Sequence, residues 1–148
     1  MSTRSIVHAT FTLERTYAAP PKQVFDAWAD PDQKRRWFAG DSDGHDLDFR
    51  AGGLEHNRGK HEGMEITWES LYREIVPDER IVYTSVLAAD GTTNSLSLTT
   101  VEFTPEGEGT RLVLVEAGAY LDGHEKPEWR EGGTADWLDS LGRHLEQS

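Results

Sequence analysis

The end of the chain constrains it most. Trp137, Leu138, Leu141 and Leu145 fall at i, i+1, i+4 and i+8, and Asp136, Asp139, Arg143 and Glu146 occupy the other side. That is the stripe of an amphipathic helix. Between about residue 40 and residue 120 the chain reads almost entirely as strands, so the apolar stripe has to be covered by a sheet.

The sheet can be followed through its turns. Residues 9–17 set Phe11, Leu13 and Arg15 against Thr10, Thr12, Glu14 and Thr16, a strand alternation,. Pro20-Pro21 stops it. Pro21 suits the first turn of a helix that carries Val24, Phe25 and Trp28, and Asp30-Pro31 ends that helix,. Asp30 can cap a second short helix reaching Trp37 and Phe38. A strand through Leu47 and Phe49 is broken by Gly52-Gly53, and a shorter one covers 54–58. The polar, Gly-containing region 41–65 as a whole reads as a mobile loop. Longer strands are expected over 65–76, 80–87, 95–104 and 110–117, separated by Pro77-Asp78-Glu79, Ala89-Asp90-Gly91 and 105–109,. The final helix can begin at Pro127 only if Gly132-Gly133 lie inside it, at roughly 1 kcal/mol each. A close approach of helix to sheet would justify them.

The order of elements implies an α+β fold: a curved antiparallel sheet of about six to seven strands around the C-terminal helix, with two short helices after the first strand. A single domain spanning 1–148, ordered over about 9–146, fits the length of 148 residues,. A curled sheet around one helix leaves space near the helix ends, where a cavity is expected.

Fifteen basic and twenty-seven acidic side chains give a formal charge of −12. That balance disfavours phosphate backbones and anionic lipid, so neither nucleic acid nor membrane is an expected partner. Without cysteine, disulfides, thiolate metal sites and thiol nucleophiles are excluded. No signal-like apolar run opens the chain and no apolar stretch approaches a membrane span, which makes the cytoplasm the expected location.

Several blocks, in this order and spacing, resemble the START-like (SRPBCC) superfamily. They are residues 11–20, 24–31, Arg36-Trp37-Phe38, Gly52-Gly53, residues 75–84, residues 101–105, residues 109–112, residues 116–123, and Gly133 with Leu138, Leu141 and Leu145. The branch is the one similar to the C-terminal domain of the heat-shock-protein-90 ATPase activator. The resemblance implies the helix-grip fold. It also implies a small hydrophobic or amphipathic ligand held in a cavity between sheet and C-terminal helix. Two alternatives stay open: a protein-interaction module acting on a chaperone ATPase, and a cyclase-like or hydrolase-like enzyme using the same cavity. One departure stands out, Thr134 where many relatives carry Trp; Trp137, a turn later, could fill that volume.

Residues expected to line the cavity are Trp28, Trp37, Phe38, Phe49, Trp68, Tyr83, Trp137 and Leu141, with Tyr72 adding a hydroxyl. Among the strand carboxylates Glu55, Glu69, Glu102 and Glu116, an inward one could act as acid or base. Glu116, with His56, is the first choice. Six His show no ligand spacing, so no metal and no cofactor are expected, and no Gly-x-Ser-x-Gly elbow marks a nucleophile. A homodimer, if one forms, would pair through a sheet edge.

Overall fold

The computed structural model describes residues 4–40 and 42–147. Seven strands form one antiparallel sheet: β1 (Ile6–Tyr17), β2 (Gly44–Leu47), β3 (Leu54–His61), β4 (Met64–Val76), β5 (Arg80–Ala89), β6 (Thr92–Glu106) and β7 (Gly109–Leu121), in spatial order β1-β7-β6-β5-β4-β3-β2. Helices α1 (Pro21–Ala29) and α2 (Pro31–Phe38) follow β1, and α3 (Pro127–Glu146) closes the chain. The sheet is curved, and its concave face receives α3.

The local signals explain the helices. Pro21 opens α1 where an N–H would have no partner, and Asp30 closes it by donating its N–H to the Asp26 carbonyl at 2.9 Å,. The Asp30 side chain then accepts from the Asp32 N–H at 3.1 Å, capping α2,. Trp37 Nε1 donates to the Ala27 carbonyl at 2.8 Å and locks the two helices together.

Two expectations are corrected. Region 41–65 is mostly strand: β2 and β3 occupy it, and β3 turns into β4 through Glu62-Gly63, both at positive φ, a two-residue hairpin turn. The strand expected over 54–58 is there as β3, and polar composition hid only its far end, because the β2–β3–β4 ladder holds it rather than intrinsic preference,. The second correction concerns α3. It does start at Pro127 with both glycines inside, yet a Cβ on Gly132 or Gly133 would meet nothing within 4 Å, so no close approach requires them.

Cross-strand register divides the concave face into rows. At one end Ile81, Val101 and Leu114 align and pack with Val24, Phe25 and Leu141 into the apolar core. Next come Tyr72, Tyr83, Thr99 and Glu116, then Ser70, Ser85, Ser97 and Gly118, then Trp68, Leu87, Ser95 and Tyr120. Leu96 and Leu98 consequently face outward, 44% and 46% exposed, while Ser97 and Thr99 between them face in. This is polar-in and apolar-out, the reverse of a sheet with one wet face. α3 packs on β1, α1 and α2. Its C-terminal half is seated by Leu138, Leu141 and Leu145, and by the Tyr17 hydroxyl donating to the Leu138 carbonyl at 2.8 Å.

Gly53 sits where the turn after β2 folds back on itself, and a Cβ there would lie 2.0 Å from the Asp48 carbonyl oxygen. Backbone cannot yield as a side chain can, so Gly53→Ala is expected to destabilise the protein by roughly 2–3 kcal/mol, measured by urea unfolding. Gly59→Ala, with nothing within 4 Å of its Cβ, should leave stability nearly unchanged.

Candidate functional site

Beyond the serine row the concave face opens into a groove of about 530 Å³ between the β3–β4 hairpin and the N-terminal half of α3. Trp68 and Trp137 stand edge to face, 5.5 Å between centroids at 83°, and Trp137 leans on Phe38 at 4.5 Å. Gly59 of β3 and Gly133 of α3 belong to facing walls, and a methyl group on either would find open space. Trp129 is 61% exposed at the rim. A larger hollow, about 660 Å³, lies on the outer face among residues such as Leu71, Val86 and Leu96. It lies on the back of the sheet and lacks aromatic lining, whereas aromatic rings and buried polar groups converge on the inner groove, as binding sites require,.

Arg130 forms the floor. Its Nη1 donates to Glu116 Oε2 at 2.9 Å, its Nε and Nη2 to the two Glu125 oxygens at 2.8 and 2.9 Å, and Nη2 also to Ser95 Oγ at 2.5 Å. Ser95 passes a proton donor on to Glu125 Oε1 at 2.6 Å, and Thr99 donates to Glu116 Oε1 at 2.9 Å. The guanidinium lies 4.7 Å from the Trp68 ring centroid, a cation–π contact. Burial alone would pull Arg130 down, but Glu116 and Glu125 outweigh it and hold its pKa above the ordinary value. Close by, Tyr120 is pushed up to about 12, chiefly by desolvation.

A second ionic cluster is sealed behind Phe38. Glu55 Oε1 accepts from Lys34 Nζ at 3.0 Å and from the Tyr72 hydroxyl at 2.6 Å, and Oε2 meets His45 Nε2 at 2.8 Å. Lys34 Nζ rests 4.6 Å from the Phe38 and 4.9 Å from the Trp28 ring centroids. Desolvation pushes Glu55 up. Lys34 and the hydrogen bonds from His45 and Tyr72 overcome it and hold the carboxyl at about 2,. Tyr72 is raised well above its usual value by burial and then by Glu55. Tyr83, deeply enclosed although part of its surface stays open, is raised by desolvation, then by Glu116 and Glu55. Among the described residues no group of three or more His, Asp or Glu is placed to hold a metal ion.

Of the residues expected to line one cavity, the groove gathers Trp68 and Trp137, with Phe38 behind them. Trp28, Trp37 and Leu141 are core, and Phe49 packs on Phe25 and Tyr72. Tyr72, Tyr83 and Glu116 sit inside, beneath the groove rather than on its wall. His56 requires correction: strand alternation turns it to the outer face, where Nδ1 pairs with Glu69 at 3.3 Å,. Of the four strand carboxylates Glu55 and Glu116 point in, while Glu69 and Glu102 are exposed. Sequence reasoning missed Lys34, His45 and Arg130. Both cations stand among polar neighbours on their helices, so only tertiary packing reveals their burial.

The family model described as activator of Hsp90 ATPase homolog 1-like protein matches residues 18–146. A protein from Rhizobium leguminosarum is 40% identical, with 98% of this chain and 99% of that chain covered at a TM-score of 0.94. Mll3558 from Rhizobium loti is 44% identical over 95% of this chain and 99% of its own, at a TM-score of 0.89. Ara h 8.0201, at 12% identity, shares the fold alone, with a TM-score of 0.77 over 96% of this chain and 100% of that chain. No curated protein matches the chain by sequence.

Lys34→Met leaves the Glu55 carboxylate buried without its cation and is expected to cost about 3–5 kcal/mol in urea unfolding. Acid provides a separate check. Because the Glu55 pKa is lowered on folding, its contribution is complete above the ~4.3 of an unfolded glutamate. It is lost as the pH falls through about 2. Unfolding measured from pH 6 to pH 2 should show a flatter acid limb for Glu55→Gln than for the natural chain.

Proposed function

The chain belongs to the activator of Hsp90 ATPase homolog 1-like family, and from that premise we propose that it binds a small apolar or amphipathic molecule in the groove between α3 and the β3–β4 hairpin. The observation that carries this reading is Gly133. A glycine inside a helix costs about 1 kcal/mol against alanine, and nothing near Gly133 would obstruct a side chain. Packing does not demand it. What it does is keep the wall of the groove clear beside the Trp68–Trp137 pair.

The groove has the composition of a site for an amphipathic ligand: an aromatic wall at Trp68 and Trp137, the cationic residues Arg58 and Lys60 on the hairpin, and a floor fixed by the hydrogen-bonded Arg130 guanidinium,. Burying an apolar molecule against the Trp68–Trp137 pair would remove apolar surface from water at about 25 cal/mol per Å². The rigid core behind α1 means that little ordering has to accompany binding.

Two substitutions at one position separate fold from function. Gly133→Ala is expected to raise stability by about 0.5–1 kcal/mol. Gly133→Phe should fold as well and fill the slot. N-phenyl-1-naphthylamine, a neutral apolar dye, should gain fluorescence on binding the natural chain and raise its melting temperature in proportion to dye concentration. The Phe variant should show neither effect. Equal dye binding by both chains would remove the groove from consideration.

A further inference from the structure

The charges on the floor of the groove are matched with one another, and those at its mouth are not. We infer that the ligand is an amphipathic anion, its apolar part against the Trp68–Trp137 pair and its charge held by Arg58 and Lys60 of the β3–β4 hairpin, an inference that rests on the ligand-binding reading above. Among the described residues the lining holds one carboxylate, Glu125, and both of its oxygens already accept, from Arg130 and from Ser95. Glu116 beneath it is engaged in the same way by Arg130 and Thr99. A cationic ligand would have to displace these donors to find a counter-charge.

The cations of the mouth are uncommitted. Arg58 and Lys60 line the groove, are exposed, and have no carboxylate partner among the described residues. The Arg58 guanidinium lies over Gly44 of β2, where a Cβ would stand 2.8 Å from Nη2, so a bare position in the edge strand makes room for it. Pairing between β2 and β3 ends at Arg58. Lys60 therefore stands on a free edge, where its four-carbon stem can swing toward a ligand. From the α3 side, Lys126 Nζ rests 5.4 Å from the ring centroid of Trp129, itself part of the lining, and brings a third cation to the rim. His61 adds little, because Glu62 is its neighbour at 3.8 Å.

Distance decides which charges a ligand feels. The chain carries −12 overall, but at physiological salt the field of an exposed charge is screened within about 8 Å. Two unpaired cations on the lining outweigh distant carboxylates there, and an apolar wall beside them concentrates their field. Apolar surface inside and uncommitted positive charge at the entrance together select a molecule with an apolar body and one anionic end.

Four probes with one naphthalene body test this, titrated into the full chain at low salt and read by isothermal calorimetry. They are 2-naphthoate, 2-naphthalenesulfonate, the neutral 2-naphthalenemethanol and 2-naphthylmethylammonium. Each anion should bind about threefold or more tighter than the neutral probe, the scale of an exposed ion pair, and the ammonium should bind weakest. The advantage of the anions should shrink as salt rises from about 20 mM to about 300 mM. In the double variant Arg58→Gln, Lys60→Gln the anions should fall to the level of the neutral probe. Its melting temperature should match that of the natural chain, since both side chains are exposed. Arg143→Gln, which removes an exposed cation from the far half of α3, should keep the preference and so separate a local contact from net charge. Tightest binding by the ammonium or the neutral probe would overturn the inference, as would an anion preference that survives in the double variant or disappears in Arg143→Gln. Equal binding of all four probes would defeat it while leaving the ligand-binding reading intact. No binding by any probe would defeat both.

Discussion

The position of α3 depends on a single buried guanidinium. The C-terminal half of the helix is seated by leucines against the core, as any amphipathic helix is. Its N-terminal half is tied instead through Arg130, which reaches Glu116 on β7, Ser95 on β6 and Glu125 just before the helix. Burying one cation with two anions costs several kcal/mol per ion in desolvation, largely offset by pairing, so the net gain in stability is small. The effect is geometric. A fork of directed hydrogen bonds fixes where the helix stands, and a slippery apolar contact would not.

That strut matters because the sheet beneath it is not built to be filled. Ser70, Ser85, Ser97 and Gly118 form a row of the smallest inner side chains, and Ser70 and Ser85 satisfy each other at 2.7 Å. Glu55 of the Lys34 cluster extends this row on β3, opposite Ser70, and at the β6–β7 end Arg130 bridges across it from Glu116 to Ser95. Protein interiors normally approach crystal packing density, and an apolar row here would have drawn α3 down onto the sheet. Small hydroxyl side chains flanked by two ionic clusters hold helix and sheet apart, with the groove at the open end.

What the sequence revealed and what it hid follow from the range of the forces involved. The α3 stripe, the Pro21 and Asp30 helix starts and the strands from residue 65 onward are written in local periodicity and turn chemistry, and they appear in place. β3 was legible over 54–58, but Gly59, Lys60 and His61 carry no strand signature, and only pairing with β4 carries the strand on to the turn. Which face of β6 points inward was undetermined, since a shift of one residue exchanges Leu96 and Leu98 for Ser97 and Thr99. Lys34 and Arg130 were invisible for a deeper reason. Each reads as a solvent-facing helix residue, and burial of a charge is decided by a carboxylate distant in sequence or on another element: Glu55 for the first, Glu116 for the second.

Local choices usually agree with the global fold, so places where they disagree carry information. Gly133 weakens the helix that contains it, although a larger residue would fit. It belongs to the wall of the groove that faces the β3–β4 hairpin, whereas its neighbour Gly132 takes no part in that wall. A sequence selected only for folding has no reason to put the defect there, and selection for an occupant that fills the space of the missing side chain accounts for it.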